Sequence, residues 1–271
     1  MRGRILGAIV VFTLLAGGVV AASALDRAAT SNAPAVRGET VPVTGEAIRF
    51  ASVTMQQRKL NELFRGYGIS ALSVDGDAGP LTRQQLCAFR VAVGLPASTR
   101  RMEPNSAEER RLMNTTRLPT PSSTATQMSR WGLIDRTCQI MFVGARGGLR
   151  FVFPTSTGSA GYQTRLQDRT AVFKYNSASH NRGWHDSTLY PSSNDNPLNG
   201  NMYKPLYFDR GQAIHGATNV PTYPASKGCA RLRVSHMDQL IGWLGLGGVT
   251  GILYGRSAIN FAVNVQGRWA G

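Results

Sequence analysis

Apolar positions in the first part of the chain recur at helical spacing. From Met55 they return every three or four residues and form one stripe, which includes Leu60, Leu63, Phe64 and Tyr67. A second helix is expected from Thr82, where Gln85 completes a capping box. A third is expected from Ser106, with Glu109 in the same role. The pattern therefore predicts a module of three small helices.

The period changes beyond residue 130, where short aromatic and β-branched runs alternate with Gly, Asn, Pro and Ser. Such runs predict strands, at 139–143, 149–153, 170–175, 206–209, 212–215 and 251–254. One helix is expected in this region, capped by Ser235 and continuing to Leu244. The predicted fold class is α+β with two domains, a small three-helix module followed by a β-rich domain.

Stretches rich in small, polar and proline residues divide the chain into segments. Residues 25–48 and 116–130 have the composition of linkers, and they flank a helical module at 49–115. The β-rich domain is assigned to residues 131–256, and residues 257–271 are treated as a C-terminal tail. We therefore expect two folded domains behind an N-terminal segment.

Residues 1–24 have the pattern of an export signal. Arg2 and Arg4 precede an uncharged stretch, and the small residues at 22–24 suit a signal peptidase. The same stretch is long enough to cross a bilayer uncleaved, so a signal peptide and a retained membrane anchor both stay open. Either alternative exports the rest of the chain, and contact with a membrane is expected only through an uncleaved segment.

Composition limits the partners. Among the 271 residues, 30 Lys and Arg stand against 15 Asp and Glu, a net charge of +15 that suits polyanions. Export weighs against nucleic acid, and the sequence carries no RNP pattern or zinc finger. Three cysteines without a CxxC pair exclude a disulfide-scaffold miniprotein and argue against a structural zinc site. No nucleic acid and no metal are therefore expected.

A glycine-rich turn joins the first two predicted helices. Val74–Thr82 reads VDGDAGPLT, and the residues that follow it at characteristic spacing are Leu86, Phe89, Gly94 and Leu95. Residues 50–115 thereby resemble the peptidoglycan-binding-domain-like family, which implies a wall-binding or spacer module. An ordinary tight turn is the alternative. Basic pairs near the module form a candidate patch for anionic cell-wall polymers, with Arg100, Arg101, Arg110 and Arg111.

His215 and Cys229 are the residues best suited to chemistry. A cysteine attacks as thiolate, so it needs a nearby base or positive charge. Gly216 after His215 lets the ring point across a cleft, and Gly228 before Cys229 allows a sharp turn that aims backbone amides at a developing oxyanion. The alternative for Cys229 is a buried, inert thiol.

The segment around these residues resembles the catalytic motif of the L,D-transpeptidase (YkuD-type) family, His-Gly followed further along by Ser-His-Gly-Cys-hydrophobic-Arg or Asn. The matching residues are His215, Gly216, Ser226, Gly228, Cys229 and Arg231. The likeness extends over about residues 135–255, and the run 220–226 is similar to actinobacterial secreted members. It implies a β-rich transpeptidase domain, a location in the cell wall or periplasmic space, and peptidoglycan stem peptides as substrates.

The resemblance also implies a role for each residue. Cys229 is the nucleophile and His215 the general base, and the intermediate is a thioester that needs no cofactor. Backbone amides around Gly228 and Cys229 form the oxyanion hole, while Ser226 and Arg231 shape the loop and the substrate pocket next to Gly216. These roles describe a cysteine-dependent transpeptidase that cross-links or remodels the wall.

Lys227 departs from the family pattern, which has His at this position. A charged lysine cannot accept a proton, but its charge can favour the thiolate or bind a substrate carboxylate. Three functions therefore stay open. They are an L,D-transpeptidase, an L,D-carboxypeptidase-type hydrolase with the same acyl-enzyme, and a catalytically weak peptidoglycan-binding protein.

Cys87 and Cys138 lack the histidine and glycine surroundings that distinguish Cys229. In an oxidising compartment they are expected to form a disulfide that ties the helical module to the β domain, which leaves Cys229 free. The spacing alone does not determine the pairing. His180 and His185 are expected to be solvated loop residues, because no further ligand type stands beside them at metal-binding spacing.

Overall fold

Three helices form the first part of the computed structural model, which describes residues 44–186 and 200–270. They are α1 (Gly45–Leu63), α2 (Pro80–Ala92) and α3 (Ala107–Asn114). Helix α1 begins at the end of the expected linker, where Thr44 Oγ1 accepts a hydrogen bond from the Ala47 amide. The predicted export signal lies outside the described residues. Within the described ranges, no helix combines the length and the apolar character needed to cross a membrane.

The capping predictions differ in outcome between α2 and α3. Ser106 caps α3, and its Oγ accepts from the Glu109 amide at 3.0 Å as expected. Thr82 does not cap α2, because its hydroxyl donates to the Asp77 carbonyl. The helix begins two residues earlier, at Pro80, whose fixed φ and missing N–H suit a first helical turn.

The glycine-rich turn before α2 is held by one buried side chain. Gln57 Oε1 accepts from the amides of Asp75 and Gly76, at 3.1 and 3.0 Å, and its Nε2 donates to Asp75 Oδ1. Gly76 has a φ of +72°, which favours glycine. The turn is thus fastened to α1, and the resemblance of this module to a peptidoglycan-binding family stays a prediction.

The strands of the β-rich region form two sheets. The first has the order β3-β2-β1-β11-β4, with β1 and β11 parallel. Its strands are β1 (Trp131–Asp135), β2 (Ile140–Ala145), β3 (Gly148–Pro154), β4 (Gln167–Ala171) and β11 (Ala262–Gln266). Strand β11 belongs to the segment expected to be a tail, and it lies inside the sheet because its residues are buried between β1 and β4.

The second sheet has the order β10-β5-β7-β8-β9, and β6 pairs with β7. Its strands are β5 (Lys174–Asn176), β6 (Trp184–Asp186), β7 (Asn201–Asp209), β8 (Gln212–Ala217), β9 (Ala230–Arg233) and β10 (Ile252–Tyr254). Strands β8 and β9 are parallel, so the chain crosses over between them through residues 218–229. That crossover ends at Cys229.

The strand expected at 170–175 is divided between the two sheets. The Val172 amide donates to Phe261, and the next amide, of Phe173, donates to Tyr207 in the second sheet. Two helices complete this region, α4 (Val234–Trp243) and α5 (Arg256–Ile259). Helix α4 begins one residue before the expected Ser235 cap, and Arg233 precedes it without a side-chain capping bond.

The helical module packs against the first sheet through a shared core. Side chains of both regions are buried in it, among them Leu60, Phe64, Leu86, Phe89, Leu112, Trp131, Leu133, Phe142 and Val152. Leu118 and Ala125 belong to the same core, so the expected linker at 116–130 is packed along part of its length. The Cys87 and Cys138 sulfurs lie 2.04 Å apart, a disulfide that joins α2 to the turn between β1 and β2.

A second core lies between the sheets and helix α4. Its buried members include Ile134, Phe153, Leu206, Ile214, Ala230, Leu232, Met237 and Leu240. Ile214 and Ala230 are partners in the β8–β9 register. Since side chains alternate along a strand, the neighbours of these two residues point to the opposite face of the sheet. That opposite face carries the candidate site.

Candidate active site

Strand register brings the motif residues together. His215 on β8 is paired with Arg231 on β9, and Cys229 stands two residues before Arg231. Residues two apart in a strand share a face, and paired residues of adjacent strands share it too. The parallel β8–β9 pair therefore sets His215 and Arg231 on one face, away from the core side occupied by Ile214 and Ala230, and Cys229, which immediately precedes β9, lies on that side as well.

A cavity of about 340 Å³ opens on this face. Five residues expected from the sequence line it, namely His215, Ser226, Lys227, Cys229 and Arg231. Trp184, Asn201, Thr218 and Asn219 also line it and were not predicted. Thr218 and Asn219 are polar and directly follow β8, and that position in the sequence could have identified them. Trp184 and Asn201 line the cavity because β6 pairs with β7.

His215 is buried with its ring orientation determined. Its Nδ1 lies 2.9 Å from the carbonyl oxygen of Gly216. Because a carbonyl only accepts, Nδ1 carries the proton, and Nε2 of the neutral ring keeps its lone pair. Burial lowers the pKa of His215 to about 4, the bond to Gly216 opposes this shift, and the charge of Arg231 adds to it. The imidazole is therefore a neutral proton acceptor at neutral pH.

Cys229 is a buried free thiol beside polarisable neighbours. Its Sγ lies 4.0 Å from Met202 Sδ and 3.9 Å from the Gly211 carbonyl oxygen. Burial raises the pKa of Cys229 to about 11, while a hydrogen bond from the Ala213 backbone and the charges of Arg231 and Arg165 act in the opposite direction. The resting sulfur is thus protonated.

Ser226 holds the turn that presents Cys229. Its Oγ accepts from the Gly228 amide at 3.1 Å and donates to the Cys229 carbonyl at 2.6 Å. Gly228 has a φ of +112°, and a Cβ there would lie 2.6 Å from Gln212 Nε2, so only glycine fits. The Gly228 amide, expected to face the oxyanion, is directed to Ser226 Oγ instead.

Positive charge dominates the cavity wall. Lys227 is exposed, and Arg231 is half-buried with its backbone N and O bonded to Ser156 at 3.0 and 3.2 Å. No carboxylate belongs to the described residues that line the cavity. A negatively charged substrate group therefore finds complementary charge here.

The two histidines near Trp184 have different environments. His180 is exposed, as expected, whereas His185 is buried on β6, where its Nδ1 accepts a hydrogen bond at 3.0 Å from the side-chain nitrogen Nδ2 of Asn176. The expectation of a solvated loop is wrong for His185, because residues 184–186 pair with β7. In the parts of the chain that the structure describes, no group of three or more potential ligands is placed to hold a metal.

Residues 129–252 match the family model of the YkuD L,D-transpeptidase catalytic domain. Among solved structures, an L,D-transpeptidase from Xylanimonas cellulosilytica is 27% identical, with a TM-score of 0.42 over 79% of this chain and 92% of that chain. An L,D-transpeptidase from Stackebrandtia nassauensis is 19% identical, with a TM-score of 0.43 over 81% and 92%. L,D-transpeptidase 3 from Mycobacterium tuberculosis is 18% identical, with a TM-score of 0.37 over 51% and 61%.

A comparison with curated proteins gives no match. The assignment accordingly rests on the family model, whose span contains His215 on β8 and Cys229 immediately before β9. Residues 129–252 are the catalytic domain of an enzyme, and they belong to the YkuD family of L,D-transpeptidases.

Proposed function

We propose that Cys229 is the nucleophile and His215 the general base of an acyl exchange on peptidoglycan stem peptides. The observation that carries this proposal is the shared cavity, in which both side chains are buried and the Gly216 carbonyl orients the imidazole. A neutral imidazole with an unprotonated Nε2 is the form that accepts a thiol proton. The resting pair is therefore neutral thiol and neutral imidazole, not thiolate and imidazolium.

The first half-reaction forms a thioester. The Cys229 sulfur attacks the carbonyl carbon that precedes the terminal D-Ala of a tetrapeptide stem, and His215 Nε2 takes the thiol proton. The carbon–nitrogen bond then breaks, and His215 returns that proton to the departing amine of D-Ala. The rest of the stem stays attached to sulfur as an acyl-enzyme.

The second half-reaction transfers the acyl group. An amine of a neighbouring stem attacks the thioester carbon, His215 removes a proton from this amine, and the bond between carbon and sulfur breaks. The thiolate regains the proton from His215, so the enzyme returns to its resting form. Water in place of the amine gives the carboxypeptidase-type hydrolase, with the same acyl-enzyme and a tripeptide stem as product.

The cationic wall has a part in both steps. Arg231 shares a strand face with His215 and Cys229, and its charge lowers the pKa of both groups. That effect favours the thiolate as it forms and opposes a standing imidazolium. We assign Lys227, exposed at the cavity, to the carboxylate of the substrate.

The other regions fit an extracytoplasmic wall enzyme. We propose that residues 1–24 direct export, by a cleaved signal or a membrane anchor, and that the helical module contacts the wall polymer. The net charge of +15 supports attraction to anionic cell-wall polymers. The Cys87–Cys138 disulfide is of the kind that persists in oxidising compartments.

Product analysis with a disaccharide-tetrapeptide tests the proposed chemistry. Mass spectrometry of the products should detect released D-Ala and cross-linked dimers with the parent, and neither with Cys229→Ala. Cys229→Ser is the control for size, since it keeps a similar volume and removes the thiol. Tripeptide without dimers would assign hydrolysis, and no product from folded parent would leave wall binding as the function.

A further inference from the structure

A second concave region lies beside the catalytic domain, apart from the His215–Cys229 cavity. Two adjacent cavities, of about 260 and 220 Å³, share the side chains of Tyr223 and Trp269 as a common wall. The smaller one is bounded by α2 of the helical module and by Cys138. The two cavities together form one groove, here called the Tyr–Trp groove.

The groove carries positive charge and aromatic surface. Arg136 and Arg268 line the larger cavity, and Arg83 lines the smaller one. No Asp or Glu of the described residues lines either cavity. Arg83 Nε is buried, and no hydrogen-bond partner for it occurs in the described part of the chain. Such an unpartnered donor is costly unless a ligand satisfies it.

The walls of the groove are tied to one another. Arg136 donates from Nε and Nη2 to the Gly267 carbonyl, at 2.9 and 2.7 Å. Thr137 Oγ1 donates to the Arg268 carbonyl and accepts from the Arg268 amide. These bonds hold the segment that bears Trp269 against the turn between β1 and β2. The disulfide at Cys138 holds α2 against the same turn. A groove built in this way is preorganised for a ligand.

The groove leads to the catalytic loop. The Tyr223 carbonyl accepts a hydrogen bond of 2.8 Å from Ser156 Oγ, and Ser156 is also bonded to the Arg231 backbone. Tyr223 lies on the crossover that continues through Ser226 to Cys229. Pro224 lines the groove and Ala225 lines the His215–Cys229 cavity, so the two sites adjoin each other along the crossover.

We propose that the Tyr–Trp groove binds the glycan strand of peptidoglycan together with a stem that it carries. The inference rests on the proposed function for the identity of the polymer. Aromatic faces such as those of Tyr223 and Trp269 bury the apolar C–H face of a sugar ring. Arginine matches the planar carboxylates of a stem, and Arg83 lines the smaller cavity of the groove.

The test measures binding in a Cys229→Ala background, so that turnover does not consume the ligand. The two probes are a disaccharide-tetrapeptide and the same tetrapeptide without sugar, compared by calorimetry. We expect the disaccharide form to bind about 10-fold more tightly, a difference of about 1.4 kcal/mol. Trp269→Ala should reduce this ratio to about 1–3, since it removes the larger ring. Tyr223→Ser is a second variant of the groove. Because the Tyr223 side chain is 56% exposed, we expect this variant to fold.

Matched controls separate the groove from general surface effects. Tyr254→Ala removes an aromatic ring that is 67% exposed and lines neither cavity, and Arg150→Gln removes an arginine outside the groove. Arg83→Gln should weaken the disaccharide-tetrapeptide several-fold, and Arg150→Gln should not. Equal affinity of the parent for the two probes would overturn the proposal. The proposal would also be overturned if Trp269→Ala and Tyr254→Ala changed the affinity ratio of the two probes equally. The same holds if the parent bound poly(glycerol phosphate) but neither peptidoglycan probe.

These outcomes are independent of the chemistry proposed for Cys229. The binding experiment uses a chain without the thiol, whereas the acyl-enzyme is tested on the parent. Glycan binding without a covalent adduct on the parent would support the Tyr–Trp groove and refute Cys229 as the nucleophile. An adduct without glycan binding would support Cys229 as the nucleophile and refute the groove.

Discussion

His215 and Arg231 are paired residues on adjacent parallel strands, and Cys229 precedes Arg231 by two positions on the same face. The parallel pairing places the histidine of one strand and the cysteine before the next strand in the lining of one cavity. It also sets a permanent positive charge beside both reacting groups. That charge lowers the pKa of the imidazole and of the thiol, so it supports a thiolate only as the substrate is attacked.

The pH dependence of acylation distinguishes a neutral resting pair from an ion pair. Protonation of His215 removes the base, and its pKa is lowered to about 4 by burial. The rate of thioester formation should therefore stay constant as the pH falls through 6.5, the ordinary value of histidine, and decline only near pH 4. Single-turnover acylation measured from neutral to acidic pH checks this. An acid limb centred near 6.5 would contradict the neutral pair.

Gly228→Ala should damage the site without a change in any reacting group. The residue has a φ of +112°, and a methyl group there would lie 2.6 Å from Gln212 Nε2. Alanine is strained at this φ, and either the turn or the Gln212 side chain must shift, so we expect the acylation rate to fall by at least about 10-fold. Gly248→Ala is the matched control, because no heavy atom lies within 4 Å of its added Cβ. Equal rates for the two variants would contradict the role of the turn.

His236 should make the fold sensitive to acid. Its ring stacks on Phe153 with centroids 4.7 Å apart, and its pKa is lowered to about 4 by burial, with a further contribution from Arg233 and opposition from the Gly68 backbone. In the unfolded chain the ordinary value is 6.5, so that state binds the proton more tightly. The stability linked to His236 is therefore full above pH 6.5 and declines as the pH falls toward 4.

The variant His236→Phe isolates this contribution, since it keeps an aromatic ring and removes the titration. Denaturant unfolding at neutral pH and at pH 5 should give a smaller loss of unfolding free energy for the variant than for the parent. His180→Phe is the control, because His180 is exposed. Identical losses in the parent and in His236→Phe would refute the assignment.

The Cys87–Cys138 disulfide should contribute to stability and not to chemistry. It closes a loop with a sequence separation of 51 residues. Loss of both sulfurs in Cys87→Ala with Cys138→Ala should lower the free energy of unfolding by about 2–5 kcal/mol. Urea unfolding of the double variant and of the parent, with and without reductant, measures this. A double variant as stable as the oxidised parent would contradict the structural role.

Much of the site was predictable because its motif is local. His215 lies on β8, and Ser226 and Cys229 lie on the crossover that follows it, so their residue types and order are visible in one short stretch of the sequence. Trp184 and Asn201 were not predictable in this way. They line the cavity only because β6 pairs with β7, and pairing between separate strands is not apparent from a local pattern.

The same distinction applies to the fold. The helical stripe around Leu60 and the cap at Ser106 follow local rules, and both correspond to helices. Strand β1 was missed because all five of its residues are buried, which removes the alternation that marks a strand. Strand β11 was missed because its place between β1 and β4 depends on a parallel pairing across nearly the whole domain.

Intact-mass spectrometry after incubation with a carbapenem tests the nucleophile most directly. A carbapenem is an acylating agent that leaves a stable mass on an activated thiol, and Cys229 is the one free cysteine among the described residues. We predict a single adduct on the parent and none on Cys229→Ala, with both proteins folded and Cys229 reduced. An unmodified parent under those conditions, or an adduct that persists in Cys229→Ala, would contradict the proposed mechanism.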